Sequence, residues 1–322
     1  MSESLNKSRH FLTLLDRSPE ELSNIIDNAI DLKDKRNKGI FEKPLLNKTL
    51  AMIFDKSSTR TRMSFEIGMH ELGGYPMFLS SRDIQLGRGE TIKDTARVMS
   101  RYAHGIMIRT FSHSIVEEFA EYSSIPIINA LTDEYHPCQI MADMMAMKEI
   151  FGTIKGLKVA YVGDGNNMAH SWLNGGAQMG FDVSIASPKD YTVNMDIYNK
   201  ANSIASKNGS KLELTTDPFA AVKNANVVYT DVWASMGQEA EQEKRVKDFE
   251  GFQVNKELMN NASKDAVFMH CLPAHRGEEV TEEVLESKSS VIFQEAENRL
   301  HVQKAILIDS IGGIKWVKKK YF

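Results

Sequence analysis

The sequence predicts an α/β protein of two halves, each a parallel sheet flanked by helices. Three observations predict it. Apolar runs of strand length end repeatedly in polar or glycine-containing turns, as at 50–54, 105–108, 158–162 and 226–230. Helical patterns with recognisable starts and stops alternate with those runs, the signature of parallel sheets. A chain of 322 residues is long enough for two domains of ordinary size. In such folds the polar strand ends gather ligands, so an active site is expected in the cleft between the halves.

The first half opens on Ser18-Pro19-Glu20-Glu21, a helix start with proline in the first turn and acids beside it, continuing to about Arg36. Leu50-Ala51-Met52-Ile53-Phe54 reads as a buried strand. Asp55 to Arg62 follows, then a helical pattern carrying Phe65, Met69 and Leu72, stopped by Gly73-Gly74. Residues 80–89, with Arg82, Asp83, Gln85, Gly87, Arg88 and Gly89, read as a polar loop. Thr91-Ile92-Lys93-Asp94 resembles a capping box and starts a helix to about Tyr102. Strands are expected at 105–108, ending in Arg109-Thr110, and at 126–130. A methionine-rich helix from Gln139 to Phe151, ended by Gly152, joins the halves; its methionines read as packing.

The second half repeats the alternation. Strands are expected at 158–162, before Gly163-Asp164-Gly165-Asn166-Asn167; at 182–186, after a helix; at 226–230, before Asp231; and at 266–269, before His270-Cys271. Val291-Ile292-Phe293 is expected as a further strand ending near Glu295, with the last helix starting at about Gln303 and finishing in Lys318-Lys319-Lys320.

Composition narrows the function. The net charge of −4, from 39 Lys+Arg against 43 Asp+Glu, argues against a nucleic-acid partner, so an anionic ligand must be caught by local charge. Apolar content of 42% with 25% charged residues is ordinary for a globular protein. No apolar run approaches the roughly 20 residues of a membrane span, and residues 1–17 show no signal-peptide core. Two cysteines, Cys138 and Cys271, make no disulfide framework. A cytoplasmic location without membrane association is expected.

The chemistry-bearing residues cluster at strand ends. Asp55-Lys56-Ser57-Ser58-Thr59-Arg60-Thr61-Arg62 holds three cations and four hydroxyls at a helix start. Guanidinium forks, hydroxyls and unpaired amides at the positive end of a helix dipole suit a phosphate; a solvated basic turn is the plain alternative. Gly163-x-Gly165 invites a dinucleotide reading, but the third glycine of that fingerprint falls at Met168, too bulky for its close packing. The turn is better read as presenting Asn167 to a ligand, unless Asn166 and Asn167 merely cap a helix. Arg109 places a guanidinium after a strand. His136-Pro137-Cys138-Gln139 places an imidazole and an amide at the junction of the halves, as ligand contacts or as a helix cap. Asp231-Val232-Trp233-Ala234-Ser235-Met236-Gly237 offers a carboxylate followed by small, flexible residues. In His270-Cys271-Leu272-Pro273 the thiol is either a small buried hydrophobe or functional. Cysteine with histidine raises a metal or nucleophile reading, but the spacing fits no zinc pattern.

Ser58-Thr59-Arg60-Thr61-Arg62, His136-Pro137-Cys138-Gln139 and His270-Cys271-Leu272-Pro273 resemble the three signature segments of the aspartate/ornithine carbamoyltransferase family. Asp231 to Gly237 resembles the amino-acid-binding segment of the ornithine-using members, and the similarity runs nearly end to end. One departure is Asp55, shorter by a methylene than the glutamate usual before the lysine and the Ser-Thr-Arg-Thr run; Ser57 stands where members vary. The resemblance implies that carbamoyl phosphate and L-ornithine give L-citrulline and phosphate, in the anabolic direction of arginine biosynthesis. It implies that Ser58, Thr59, Arg60 and Thr61 hold the phosphate. Arg109, His136 and Thr61 would face the carbonyl oxygen, Gln139 and the Leu272 carbonyl would fix the carbamoyl amide, and Arg299 would be a further contact.

Gln85 belongs to a loop that in the family reaches a neighbouring subunit's site, within a homotrimer with shared active sites. On the acceptor side Asn167, Asp231, Ser235 and the Met236 backbone match ornithine-holding groups. Cys271 and Asp231 would orient the δ-amine, and the 235–237 loop would close over ornithine. The expected carbamoyl-phosphate domain is 1–138 completed by 303–322, the linking helix 139–150 and the ornithine domain 151–302. No metal and no cofactor are expected, because carbamoyl phosphate is already activated and positioning with charge stabilisation suffices. Aspartate, putrescine and N-acetylornithine remain as rival acceptors, and a non-enzymatic anion-binding protein as the rival from another class.

Overall fold

Caps and apolar runs set the order of elements along the chain, of which the structure, a computed structural model, describes residues 9–81, 84, 89–234 and 239–312. Ser18 accepts from the Glu21 N–H, and Glu21 accepts in turn from the Ser18 N–H. This reciprocal pair opens α1 (Pro19–Asn37). There follow β1 (Thr49–Phe54), α2 (Thr59–Glu71), β2 (Tyr75–Ser80), α3 (Ile92–Tyr102), β3 (Gly105–Arg109), α4 (His113–Tyr122), β4 (Ile127–Leu131) and α5 (Pro137–Phe151). The second run is β5 (Lys158–Val162), α6 (Asn167–Met179), β6 (Asp182–Ala186), α7 (Met195–Asn208), β7 (Leu212–Thr215), α8 (Pro218–Val222), β8 (Val227–Thr230), α9 (Gln242–Asp248), α10 (Lys256–Met259), β9 (Val267–His270), α11 (Glu282–Leu285) and α12 (Ile292–Ile311).

The chain forms two compact units. One runs to Met141 and takes in the chain from Asn298 onward; the other is Ala142–Glu297. The divisions fall inside α5 and α12.

In the first unit the strands lie in the order β2-β1-β3-β4, all parallel. The chain leaves β1 toward β2 and later returns on the other side as β3. The carboxyl ends of β1 and β3 therefore flank the point where strand order reverses. The register of β3 against β4 shifts between Ile108 and Arg109, so the ladder is irregular where Arg109 leaves it. Ile53, Ile106, Ile108, Val116, Phe119 and Ile127 bury together behind the sheet, each worth about 1.5–3 kcal/mol relative to exposure. Glu71 accepts from Arg36 at 2.8 Å and from Lys304 at 2.7 Å, tying α2 to α1 and α12.

The second unit repeats the scheme as β7-β6-β5-β8-β9, again parallel. Its reversal lies between β5 and β8. Trp172 on α6 packs edge-on against Phe181 and Tyr229 at centroid separations of 5.9 and 5.2 Å. Gly180 ends α6 at φ 75°, a left-handed position glycine takes without steric cost.

One expected strand is a helix. Val291-Ile292-Phe293 does not pair as a strand: Ser290 makes a single bridge to Phe268, and α12 begins at Ile292 rather than near Gln303. A short apolar run has no period of its own, and here it is the first turn of a long buried helix. Further elements lie where no separate element was expected, among them the helices α7 to α11. β2 occupies 75–80, α4 occupies 113–122 and β7 occupies 212–215.

Gly165 shows why the turn after β5 carries two glycines. An added Cβ would stand 2.4 Å from both the carbonyl carbon of Thr192 and the nitrogen of Val193. The backbone crossing at 192–193, not a dinucleotide, demands the missing side chain. We predict that Gly165→Ala lowers stability by about 1–3 kcal/mol, read as a lower urea midpoint at unchanged slope. An unchanged midpoint would mean that the crossing gives way freely.

Candidate active site

In the first unit, the end of β1 and the end of β3 are stitched together. The Asp55 N–H donates to the Arg109 carbonyl at 2.9 Å, and the Thr110 hydroxyl donates to the Asp55 carboxylate. Lys56 is buried, pairs with Asp133 and lies 4.2 Å from the Phe111 ring centre. Arg62 pairs with Glu66 at 3.0 Å and stacks 3.8 Å over Phe78. Lys56 and Arg62, two of the three cations in this basic turn, thus serve the scaffold. Ser58 is the N-cap of α2, accepting from the Thr61 N–H at 3.2 Å, so Thr59 and Arg60 open the helix at the positive end of its dipole.

Three helices then converge. The Arg299 guanidinium on α12 donates to Gln139 Oε1 on α5 at 2.6 Å and to Thr61 Oγ1 on α2 at 3.1 Å. These neutral oxygens orient the cation without neutralising it. Arg109, His136, Gln139 and Arg299 are all buried. Burial, reinforced by the charges of Arg299, Arg109 and Arg60, pushes the His136 imidazole well below its ordinary range. His136 is therefore a neutral hydrogen-bonding group beside fixed positive charge. Cys138 is structural: its thiol donates to the Asn129 carbonyl at 3.4 Å, and burial pushes it up to about 12.

In the second unit the residues again sit where strand order reverses. Asp231 follows β8 and is buried. Its carboxylate accepts from the Cys271 thiol at 3.0 Å and from the Asn166 amide at 3.2 Å. Asn166 also caps α6, accepting from the Met168 N–H at 2.9 Å. Asn167, the first residue of α6, is half-buried beside it. Burial first, then the Asp231 carboxylate, pushes the Cys271 thiol well above its ordinary value. A thiol held as a donor to Asp231 offers neither a thiolate nucleophile nor a thiolate ligand. Leu272 takes a left-handed φ of 57°, and its N–H donates to His270 Nδ1 at 2.9 Å.

Two family models cover the chain. The carbamoyl-P binding domain of the aspartate/ornithine carbamoyltransferases matches residues 9–149, and their Asp/Orn binding domain matches 155–309. The chain belongs to the aspartate/ornithine carbamoyltransferase family. It is 56% identical over 301 residues to the ornithine carbamoyltransferase of Oceanobacillus iheyensis, covering 94% of each chain. It is 56% identical to that of Carboxydothermus hydrogenoformans, over 95% of this chain and 98% of the relative. Among solved structures, the Pyrococcus furiosus ornithine carbamoyltransferase matches with TM-score 0.92 at 52% identity, covering 96% of this chain and 98% of that one. The anabolic ornithine carbamoyltransferase of Campylobacter jejuni matches with TM-score 0.88 at 48% identity, over 94% and 98%.

The family signature residues fall into two groups. Ser58, Thr59, Arg60, Thr61, Arg109, His136, Gln139 and Arg299 belong to the first unit; Asn167, Asp231, Cys271 and Leu272 belong to the second. Gln85, Ser235 and Met236 lie outside the described residues.

Several supporting groups escaped the sequence reading. Arg245 donates to Asp164 at 2.8 Å, to the Trp233 carbonyl at 2.7 Å and to Glu241 at 3.1 Å, so it anchors the chain on either side of 235–238. Burial pushes the Asp164 carboxyl up to about 6 even beside that guanidinium. Capping α6 uses only the Asn166 side-chain oxygen, which leaves its amide NH2 to donate to Asp231. Asp231, His270 and Cys271 place ligand-type atoms within 4.8 Å of one another. Those atoms are engaged in the bonds above, and His270 Nε2 bonds Glu279 at 3.0 Å.

Arg60→Ala is expected to weaken binding of carbamoyl phosphate or inorganic phosphate by about 10–150-fold, the loss of one charge-assisted bond; calorimetry measures it, and wild-type affinity would remove Arg60 from the site. Because His136 is held neutral, its protonation falls well below pH 6.5. Carbamoyl phosphate binding should then lack an acid limb near about 6.5, the free-histidine value. A limb there that disappears in His136→Asn would contradict the neutral imidazole.

Proposed function

We propose that this chain is an ornithine carbamoyltransferase: it transfers the carbamoyl group of carbamoyl phosphate to the δ-amine of L-ornithine, giving L-citrulline and phosphate. The observation that carries the reading is the buried constellation of Arg299, Arg109 and neutral His136 around the opening of α2. A phosphate dianion and a developing carbonyl oxyanion both call for such fixed positive charge. Relatives bearing that name at 56% identity over nearly the whole chain support the choice of acceptor.

In this reading the phosphate lies against Ser58, Thr59, Arg60 and Thr61. Arg109, His136 and Thr61 face the carbonyl oxygen. A neutral imidazole donates one hydrogen bond there without adding a titrating charge. Gln139 and the Leu272 carbonyl fix the carbamoyl NH2. Ornithine is held by Asn167, Asp231, Ser235 and the Met236 backbone, with Cys271 and Asp231 steering the δ-amine. That amine has a pKa near ~10.4 in water and must lose a proton before it attacks; a water-poor site favours the neutral form. The new N–C bond forms as the C–O bond to phosphate breaks.

The reading extends to a homotrimer with shared sites, to which Gln85 contributes across subunits, and to cytoplasmic arginine biosynthesis in the anabolic direction. Exposed apolar side chains on the first unit support assembly: Met77 and Phe78 on β2, Val98 and Tyr102 on α3. The anabolic name of the similar Campylobacter jejuni enzyme supports the direction.

The deciding experiment supplies carbamoyl phosphate with L-ornithine, L-aspartate, putrescine or N-acetylornithine. Citrulline should be the main product; faster turnover of another amine would replace ornithine as the acceptor. We also predict that Asp231→Asn raises the ornithine KM or lowers kcat by on the order of 10²-fold while inorganic phosphate binds as in the wild type. Equal damage to both would argue against separate acceptor and phosphate groups.

A further inference from the structure

We infer that the buried pair His270–Glu279 is the positioning element of the acceptor side: it sets the backbone of Leu272 and the thiol of Cys271 through one imidazole held in one tautomer. The inference rests on the carbamoyl-transfer reading above, and it assigns roles to residues that touch neither substrate.

The bonding order is unambiguous. The Leu272 N–H donates to His270 Nδ1 at 2.9 Å, so Nδ1 carries no proton. Nε2 must then carry it, and Nε2 faces Glu279 Oε1 at 3.0 Å. The same Oε1 accepts from the His275 N–H at 2.7 Å. His270 and Glu279 are both 0% exposed. A carboxylate at Nε2 is what selects the tautomer whose other nitrogen can accept.

Glu279 is itself fixed from behind. Its carbonyl accepts from the Val254 N–H at 2.8 Å, and Val254 bridges to the neighbouring Val280. A rigid backbone thus presents the carboxylate, the carboxylate orders the imidazole, and the imidazole holds Leu272.

What is held needs holding. Leu272 sits at φ 57°, a left-handed conformation that costs a non-glycine residue on the order of 1–3 kcal/mol. The bond to Nδ1 offsets part of that cost. On one side of this residue stands Cys271, whose thiol donates to Asp231. Its own carbonyl is the group read above as accepting from the carbamoyl amide. If Leu272 relaxed to an ordinary φ, the carbonyl and the thiol would both turn. An error near 1 Å at such groups costs on the order of 10²-fold in rate.

The test uses substitutions that each mimic one nitrogen. In His270→Asn the side-chain oxygen stands about where Nδ1 stands and can still accept from Leu272. In His270→Gln the terminal amide reaches about where Nε2 stands, and the acceptor for Leu272 is gone. At the partner, Glu279→Gln keeps an acceptor for Nε2–H, whereas Glu279→Met removes it. For the full-length protein and all four variants, kcat for citrulline formation is measured with melting temperature. The stoichiometry of inorganic phosphate binding by calorimetry counts competent molecules.

The expected result is that His270→Gln and Glu279→Met lose on the order of 10²-fold in kcat per competent molecule. His270→Asn and Glu279→Gln should keep kcat within about tenfold of the wild type, one conserved hydrogen bond apart, although they lose melting temperature too. Activity that tracks melting temperature alone, or is unchanged in His270→Gln, would overturn the inference. A wild type that binds phosphate and forms no citrulline would instead overturn the carbamoyl-transfer reading and leave the His270–Glu279–Leu272 geometry as it stands.

Discussion

Burying positive charge is the constraint on which the first unit depends. Arg299 is 2% exposed and is gripped by an amide oxygen and a hydroxyl oxygen. Such bonds fix the direction of the guanidinium. The cost of desolvating guanidinium groups must be met elsewhere in the fold. The scaffold meets it with cross-links around the site: Glu71 between Arg36 and Lys304, Asp133 under Lys56, and Asp55 bridging the ends of β1 and β3. His136 registers the result, since burial first and then these cations hold its imidazole neutral.

The second unit solves the opposite problem. Here the fixed charge is the Asp231 carboxylate, and its neighbours are donors that stay protonated. Cys271 is driven up by burial and by Asp231 itself, so the thiol keeps its hydrogen and points it at the carboxylate. Asn166 supplies a second donor while capping α6. A carboxylate satisfied in this way suits an ammonium or amine in a defined direction.

Much of this was legible from the chain, for physical reasons that differ by element. β5 was read to the residue because Val159 to Val162 is a continuous apolar run before a polar turn, as in buried parallel strands. β2 was missed because it is an edge strand carrying Pro76 and exposed Tyr75, Met77 and Phe78, with no period to detect. Val291-Ile292-Phe293 misled because three apolar residues carry no information about their own period. Arg60, Arg109, His136, Asp231 and Cys271 stand out in the sequence as candidates because each follows a strand or opens a helix. Lys56 and Arg62 count among the cations of the basic turn, but the structure pairs them with Asp133 and Phe111 and with Glu66 and Phe78. Glu66 is one turn along α2, but Asp133, Phe111 and Phe78 are distant in sequence or on another element, and composition cannot announce them. The same holds for Arg245 on α9 and for Glu279, nine residues beyond His270.

The two units reach different chemistry through one topology. Each sheet adds strands to one side of its first strand, then returns to add the rest on the other side. The reversal opens a gap at the carboxyl edge between β1 and β3 in one unit and between β5 and β8 in the other. In the first gap the turn after β1 carries Ser58 to Thr61 and the end of β3 carries Arg109; in the second the turn after β5 carries Asn166 and Asn167 and the end of β8 carries Asp231. The backbone plan fixes where a ligand can sit. The charge placed there differs in sign, guanidinium in one case and carboxylate in the other. A substitution that keeps the strand order but changes that sign should therefore alter chemistry without altering fold, and this separates positioning by topology from selection by charge.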